Sequence, residues 1–285
     1  PAGPVGHAVR HLRDAADPFI SNLKRRVYPT LELDYNKLLD MVSEMGYRLM
    51  KSGAEIYRVE ESIQRLLQAY GAPRGEVFAI PNCLMVSLTS PDGRPVTQIR
   101  RMPTHGTDIY LLEKYNRLCR ETPAFEEALE QMEAITRTHR VYSLPTQLAA
   151  HFLGCGMFSL FYGGTPADGL CGGLCGMVIG LCMALMTRLG ANLFFRTIAG
   201  GAASALAAVA LTRLGVGQNQ DLIIIGALMA LVPGIAMTNA MRDIMAGDMV
   251  AGISKAAEAL LIGAAIALGT ALALGLTRMV TGGAL

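Results

Sequence analysis

Charge is scarce in the second half of this chain. Of its 48 Asp, Glu, Lys and Arg residues, only 11 lie in residues 145–285, most at the edges of long apolar runs. That scarcity excludes an ordinary solvated domain there and points to a bilayer. A charge kept at the bilayer centre costs about 3 kcal/mol or more, so each survivor is a candidate for chemistry. Net charge is only +2, which gives no reason to expect nucleic acid as a partner. The six cysteines include no CxxC pair, so no disulfide framework is implied. Cys171 and Cys175 stand one helical turn apart, as soft-metal ligands could, but cysteine in an apolar run also reads as a small packing residue. Residues 1–30 are broken by charges every few positions and show no secretory-signal core. The chain also lacks G-x-S-x-G, H-E-x-x-H, P-loop and dinucleotide patterns, which removes the common enzyme constellations. No metal and no cofactor is implied.

Five apolar stretches occupy the second half, over residues 146–163, 169–187, 191–212, 221–239 and 252–276. Crossing the hydrocarbon takes roughly 17–25 residues, so each is read as a span. Turn residues separate them, and Asp168 and Asp221 sit where helix N-caps belong, with Pro145 in a first turn. With residues 1–144 cytoplasmic, Arg137, Arg140, Arg188, Arg242 and Lys255 fall inside and Arg213 and Arg278 outside, which is the expected bias. Arg196 is read as snorkelling to the cytoplasmic interface. Gly172, Gly176 and Gly180, and Gly200-Gly201-Ala202-Ala203, let helix backbones approach closely.

The first half divides into a basic extension over residues 1–33, with Arg10, Arg13, Lys24, Arg25 and Arg26 able to meet lipid headgroups, and a domain over 34–144. Leu38, Val42, Met45 and Leu49 form one helical stripe, and Ile56, Val59, Ile63, Leu66 and Tyr70 another. Ser52-Gly53-Ala54-Glu55 has capping-box form, so the second helix is expected to start at Ser52. Strands are read over 77–80, 83–89 and 96–101, with a hairpin turn at Ser90-Pro91-Asp92-Gly93, then helices over 107–120 and 124–138. The fold class is therefore an N-terminal soluble α+β domain followed by an all-α bundle of five transmembrane helices over 145–285.

Pro233-Gly234 interrupts the fourth span. Proline removes a backbone donor, and such backbone survives in a membrane only where protein or a cavity satisfies it. Broken helices of this kind build substrate sites in secondary transporters. Thr238 and Asn239 follow the break, and Ile235, Asn239 and Asp243 share a face. Asp248 and Glu258 come next, with Lys255 placed to neutralise Glu258. Each has a plainer reading: a kink, interhelical glue, a span end or a structural ion pair. His151 suggests proton handling without specifying it. In the soluble half, Glu55 and Arg58 fit a helix start, while Glu60 borders the apolar stripe and is the stronger candidate for a role.

Two segments resemble the threonine/serine exporter family: Ser52-Gly53-Ala54-Glu55-Ile56-Tyr57-Arg58-Val59-Glu60, and Val232-Pro233-Gly234-Ile235-Ala236-Met237-Thr238-Asn239-Ala240-Met241-Arg242-Asp243 with Ala246-Gly247-Asp248 and Ala257-Glu258-Ala259-Leu260. The resemblance runs over about residues 34–276. It implies a multi-pass exporter in the cytoplasmic (inner) membrane, moving small amino acids or, in two-subunit members, dicarboxylates such as succinate. Full-length members have about ten spans, so five spans resemble the larger subunit of the split form. Its partner is then a small membrane protein with four to five spans, and the assembly an oligomer. Proton coupling assigns Asp243, Asp248 and Glu258 as carriers and Pro233, Gly234, Thr238 and Asn239 as substrate contacts. A membrane-anchored enzyme, or a ligand sensor acting through the soluble domain, are the rival readings.

Overall fold

The computed structural model describes residues 34–280 apart from 73, 91–92 and 103–105. The basic extension over 1–33 lies outside the described residues. The chain divides into two compact units between His139 and Arg140.

The first unit is built from helices α1 (Tyr35–Lys51) and α2 (Ile56–Ala69), strands β1 (Glu76–Ile80), β2 (Cys83–Thr89) and β3 (Pro95–Arg101), then α3 (Ile109–Glu121) and α4 (Phe125–Thr138). The strands form an antiparallel sheet in the order β1-β2-β3. Alternation in β2 sends Leu84, Val86 and Leu88 into the core. Buried in the same unit are Leu38, Val42, Met45 and Leu49 of α1 and Val59, Ile63 and Leu66 of α2. These are the residues of the two helical stripes.

Helix α2 does not start where a capping box over Ser52 requires. Ser52 closes α1, its hydroxyl donating to the Arg48 carbonyl at 2.8 Å, and Glu55 is the N-cap of α2 without a side-chain capping bond. Gly53, at φ +93°, turns the chain between the helices, and glycine takes that conformation without strain. Arg48 ties the unit together: it bonds Glu44 at 2.7 Å, and its outer nitrogen donates to the Met132 carbonyl of α4 at 2.6 Å. Burial alone pushes the Glu44 carboxyl up, but Arg48 and Arg100 outweigh it and hold it below its usual range.

The second unit is all helical: α5 (Leu144–Phe161), α6 (Pro166–Arg188), α7 (Leu193–Arg213), α8 (Gln220–Leu228), α9 (Gly234–Ala246) and α10 (Met249–Val280). Three of these, α6, α7 and α10, are long and apolar enough to cross a membrane. These three correspond to the second, third and fifth of the apolar stretches. Helix α5 carries Gln147 and His151 among its 18 residues, and the fourth stretch divides into α8, with 9 residues, and α9, with 13.

Two expected caps also move. Thr165 caps α6, with Asp168 completing a capping box from inside the helix, and Asn219 precedes α8 with Asp221 in its first turn. Arg196 donates to the Thr187 hydroxyl at 2.7 Å, tying the start of α7 to the end of α6.

Glycine sets the spacing of α5 and α6. Gly172, Gly176 and Gly180 are all buried on the α6 face toward α5. A Cβ at Gly176 would lie 2.6 Å from Cys155 Sγ and 2.7 Å from the His151 carbonyl oxygen. Gly201 of α7 likewise faces the Ile266 carbonyl of α10, where a Cβ would stand 3.1 Å away. Helix α8 packs against α5, α6 and α7, whereas α9 packs chiefly on α10. Gly176→Leu should force α5 and α6 apart at a cost of about 1–3 kcal/mol or more. The expected result is a lower melting temperature and loss of monodisperse protein in detergent; a parental melting curve would show that this seam has room to spare.

Candidate functional site at a broken helix

Proline 233 cannot donate to the carbonyl four residues back, at Met229, and the chain leaves helical geometry there. Helix α8 ends at Leu228, and α9 resumes at Gly234. Short turns recover part of the bonding: Ala230 N–H donates to the Ala227 carbonyl at 3.2 Å, and Leu231 N–H to the Leu228 carbonyl at 2.8 Å. The Cys155 thiol of α5 reaches the Ala227 carbonyl at 3.4 Å. Beside the break is a pocket of about 250 Å3, walled by Met229 and Ala230 and by His151, Cys155 and Phe158 of α5. Irregular backbone lining a cavity is the arrangement a membrane tolerates.

The imidazole is oriented by its own helix. His151 Nδ1 lies 2.8 Å from the Gln147 carbonyl oxygen. A carbonyl can only accept, so Nδ1 is the donor in this contact. Nothing in the sequence linked His151 to Pro233, because more than eighty positions and three helices separate them. The wall residues Cys155, Phe158, Met229 and Ala230 were likewise missed; only the geometric consequence of Pro233 could have pointed to Met229.

The expected site residues divide between the two ends of α9. Pro233 and Gly234 mark the break, and the Thr238 hydroxyl is turned back onto the Gly234 carbonyl at 2.8 Å. Asn239 is half-buried, one turn before Asp243. Asp243 lies ten residues beyond Pro233, or about 15 Å along the helix axis. It is fully buried, and Lys255 of α10 donates to it at 2.8 Å. Lys255, which sequence spacing pairs with Glu258, thus clamps two helices together. Asp248 sits in the turn between them, where burial, and then the Asp243 charge, pushes its carboxyl up against the opposing pull of Lys255. Glu258 is half-buried in the third turn of α10, which starts at Met249 rather than 252.

The soluble-half residues remain with their own unit. Glu60 accepts from the Ala79 N–H at 2.7 Å, fixing α2 to strand β1, and Glu55 is buried beside Arg58 at 3.5 Å. Asp168, read from sequence only as a cap, is buried and accepts from five donors. Thr165 N–H and hydroxyl, Gln218 N–H, and Asn219 N–H and side-chain amide all reach it at 2.7–2.9 Å. It joins the loop before α6 to the loop before α8. Among the described residues no group of three or more His, Cys, Asp and Glu could hold a metal.

A family model described as "Putative threonine/serine exporter" matches residues 40–277. The chain belongs to the threonine/serine exporter family. With its several long apolar helices, this exporter-family chain is a multi-pass membrane protein. It is 28% identical over 251 residues to the "Probable threonine/serine exporter" of Mycobacterium tuberculosis (strain ATCC 25618 / H37Rv). The alignment covers 85% of this chain and 47% of that relative, so the chain spans about half the relative's length. No solved structure matches it.

Asp243→Asn would leave the Lys255 ammonium without its 2.8 Å counter-charge. Removing one partner of a buried pair costs about 3–5 kcal/mol, so the single variant should melt well below the parent. Lys255→Met in the same protein should recover most of that loss. If the double variant is no more stable than the single one, the pair does not hold the α9–α10 hairpin.

Proposed function

We propose that this chain is the larger subunit of a secondary-active, proton-coupled exporter of threonine and serine, completed by a small membrane protein with four to five spans. The observation that carries this reading is the break between α8 and α9, with a pocket at one end of α9 and a buried carboxylate–ammonium pair at the other. An unwound segment offers backbone dipoles to a small zwitterion, and the carboxylates toward the far end of α9 and into α10 can exchange protons. Thr238 and Asn239 are the proposed substrate contacts, with Asp243, Asp248 and Glu258 along the proton route. Dicarboxylates such as succinate are the alternative cargo. The soluble unit is not needed as an enzyme in this reading.

Five crossings follow if α5 makes one and α8 with α9 together make another. We place the soluble unit in the cytoplasm, the loop of Arg188 inside and that of Arg213 outside, with the protein in the inner membrane. A thiol probe at Gly215 should then be labelled from outside intact cells and one at Gly93 should not. The reverse pattern overturns this orientation.

Export is tested in cells producing the chain with its partner and preloaded with labelled threonine, serine or succinate. Efflux of the amino acids should exceed that of control cells and collapse when the proton gradient is discharged. Glu258→Gln should reduce gradient-driven efflux at least tenfold while the protein still inserts. Efflux of none of the three, or a parental rate and pH dependence in the Glu258→Gln variant, would remove the corresponding part of the proposal.

A further inference from the structure

The soluble unit holds a cleft that transport through the membrane leaves unused. It lies between α2 and α3, measures about 550 Å3, and is lined by Arg58, Arg65 and Arg120 with Tyr57, Ser62 and Asn116. Sites for small molecules span roughly 300–1,000 Å3, so the size is suitable. The lining is polar, which suits a small charged ligand better than an apolar one. Three guanidinium groups face one carboxylate there, Glu61, which is taken up by Arg65 at 3.1 Å.

The arginines have donors in reserve. Arg58 meets the Tyr57 hydroxyl at 3.0 Å and Glu55 at 3.5 Å, both through Nε, and these contacts leave its two terminal nitrogens. The side chains of Arg120, Ser62 and Asn116 make no hydrogen bond or ion pair among the described residues. Cys119 at the floor adds no negative charge, since burial pushes its thiol up to about 12. A smaller recess of about 40 Å3 adjoins the cleft, shares Arg58, Ser62 and Asn116 with it, and ends at buried Glu55.

A guanidinium presents a rigid planar fork that matches the paired oxygens of a carboxylate or phosphate, and two or three forks converging favour a multivalent anion. We propose that this cleft binds a compact oxyanion, a carboxylate or a phosphate, held by Arg58 and Arg65 from α2 and by Arg120 from α3. The occupant bridges two helices that otherwise meet through few side chains. It also gives Arg58, one residue of the 52–60 motif, a task that helix initiation alone does not explain. The proposal is independent of what the membrane unit exports.

The test is calorimetric titration of the full chain in detergent micelles at fixed ionic strength, with succinate and inorganic phosphate as separate probes. Saturable binding of at least one is expected. Arg120→Gln should weaken it at least tenfold, Arg120→Lys should restore part of it, and Arg58→Gln with Arg120→Gln should remove it. Saturation by succinate alone assigns a carboxylate ligand, and saturation by phosphate alone a phosphate. Arg120 is exposed and supports no packing, so Arg120→Gln should keep the parental circular dichroism spectrum even if the double variant does not fold. Binding that Arg120→Gln leaves unchanged lies elsewhere on the chain and overturns the proposal, as does failure of both probes to saturate the parent.

Discussion

Three helices of the membrane unit meet at Ser159. Its side chain and backbone occupy the space that a Cβ on Gly172 of α6, or on Gly226 of α8, would take. Between helices in lipid there is little hydrophobic gain, because the acyl chains are as apolar as leucine. What holds them is close van der Waals contact, and only very small residues permit backbones to come this near. The rest of the unit depends on that approach. It brings α5 close enough for Cys155 to reach the Ala227 carbonyl, and it sets His151 on the same pocket wall as Met229. A bulkier residue at position 172 or 226 would move the wall of the pocket as well as the packing.

Charge in this unit follows a consistent economy of partners. Asp168 is surrounded by donors from two loops, and Asp243 is matched by Lys255 across a helix pair. A carboxylate withdrawn from water is tolerated when its oxygens are occupied this fully, and a lone one is not. Asp248 sits at the margin of that arrangement, close enough to Asp243 to feel its charge. Asp243, Asp248 and Lys255 therefore share one helical hairpin, and a proton or cation arriving there would change the balance among the three at once.

Much of the soluble unit was legible from sequence because its signals are local. Alternation in 83–89 specified which side chains of β2 point inward, and Ser90 to Gly93 specified the turn. Gly93 adopts φ +80° and donates to the Ser90 carbonyl at 2.9 Å. The Ser52-to-Glu55 pattern misled for a physical reason: the same hydroxyl that can cap a following helix can bond back to a preceding one, and here it does. In the membrane unit the break at Pro233 could be read, since a missing donor has only local consequences. The Asp243–Lys255 pair could not, because Lys255 lies three residues from Glu258 in sequence and only the turn at Gly247 brings it against α9. Asp168 was seen as a cap because its other partners, Gln218 and Asn219, lie fifty positions away.

The two halves of the interrupted helix are held very differently. At one end, three hydrogen bonds from Gln218 and Asn219 to the Asp168 carboxylate fasten the start of α8 to the start of α6, and three neighbouring helices surround it. At the other, α9 leans mainly on α10, and Met237, Met241 and Met245 stand exposed on its outer side. Helix α10 is itself packed closely on α7, at Gly201 and Gly269. Across the break at residues 229–233, α9 is therefore registered to the bundle indirectly, through α10 and the Asp243–Lys255 clasp, rather than through α8.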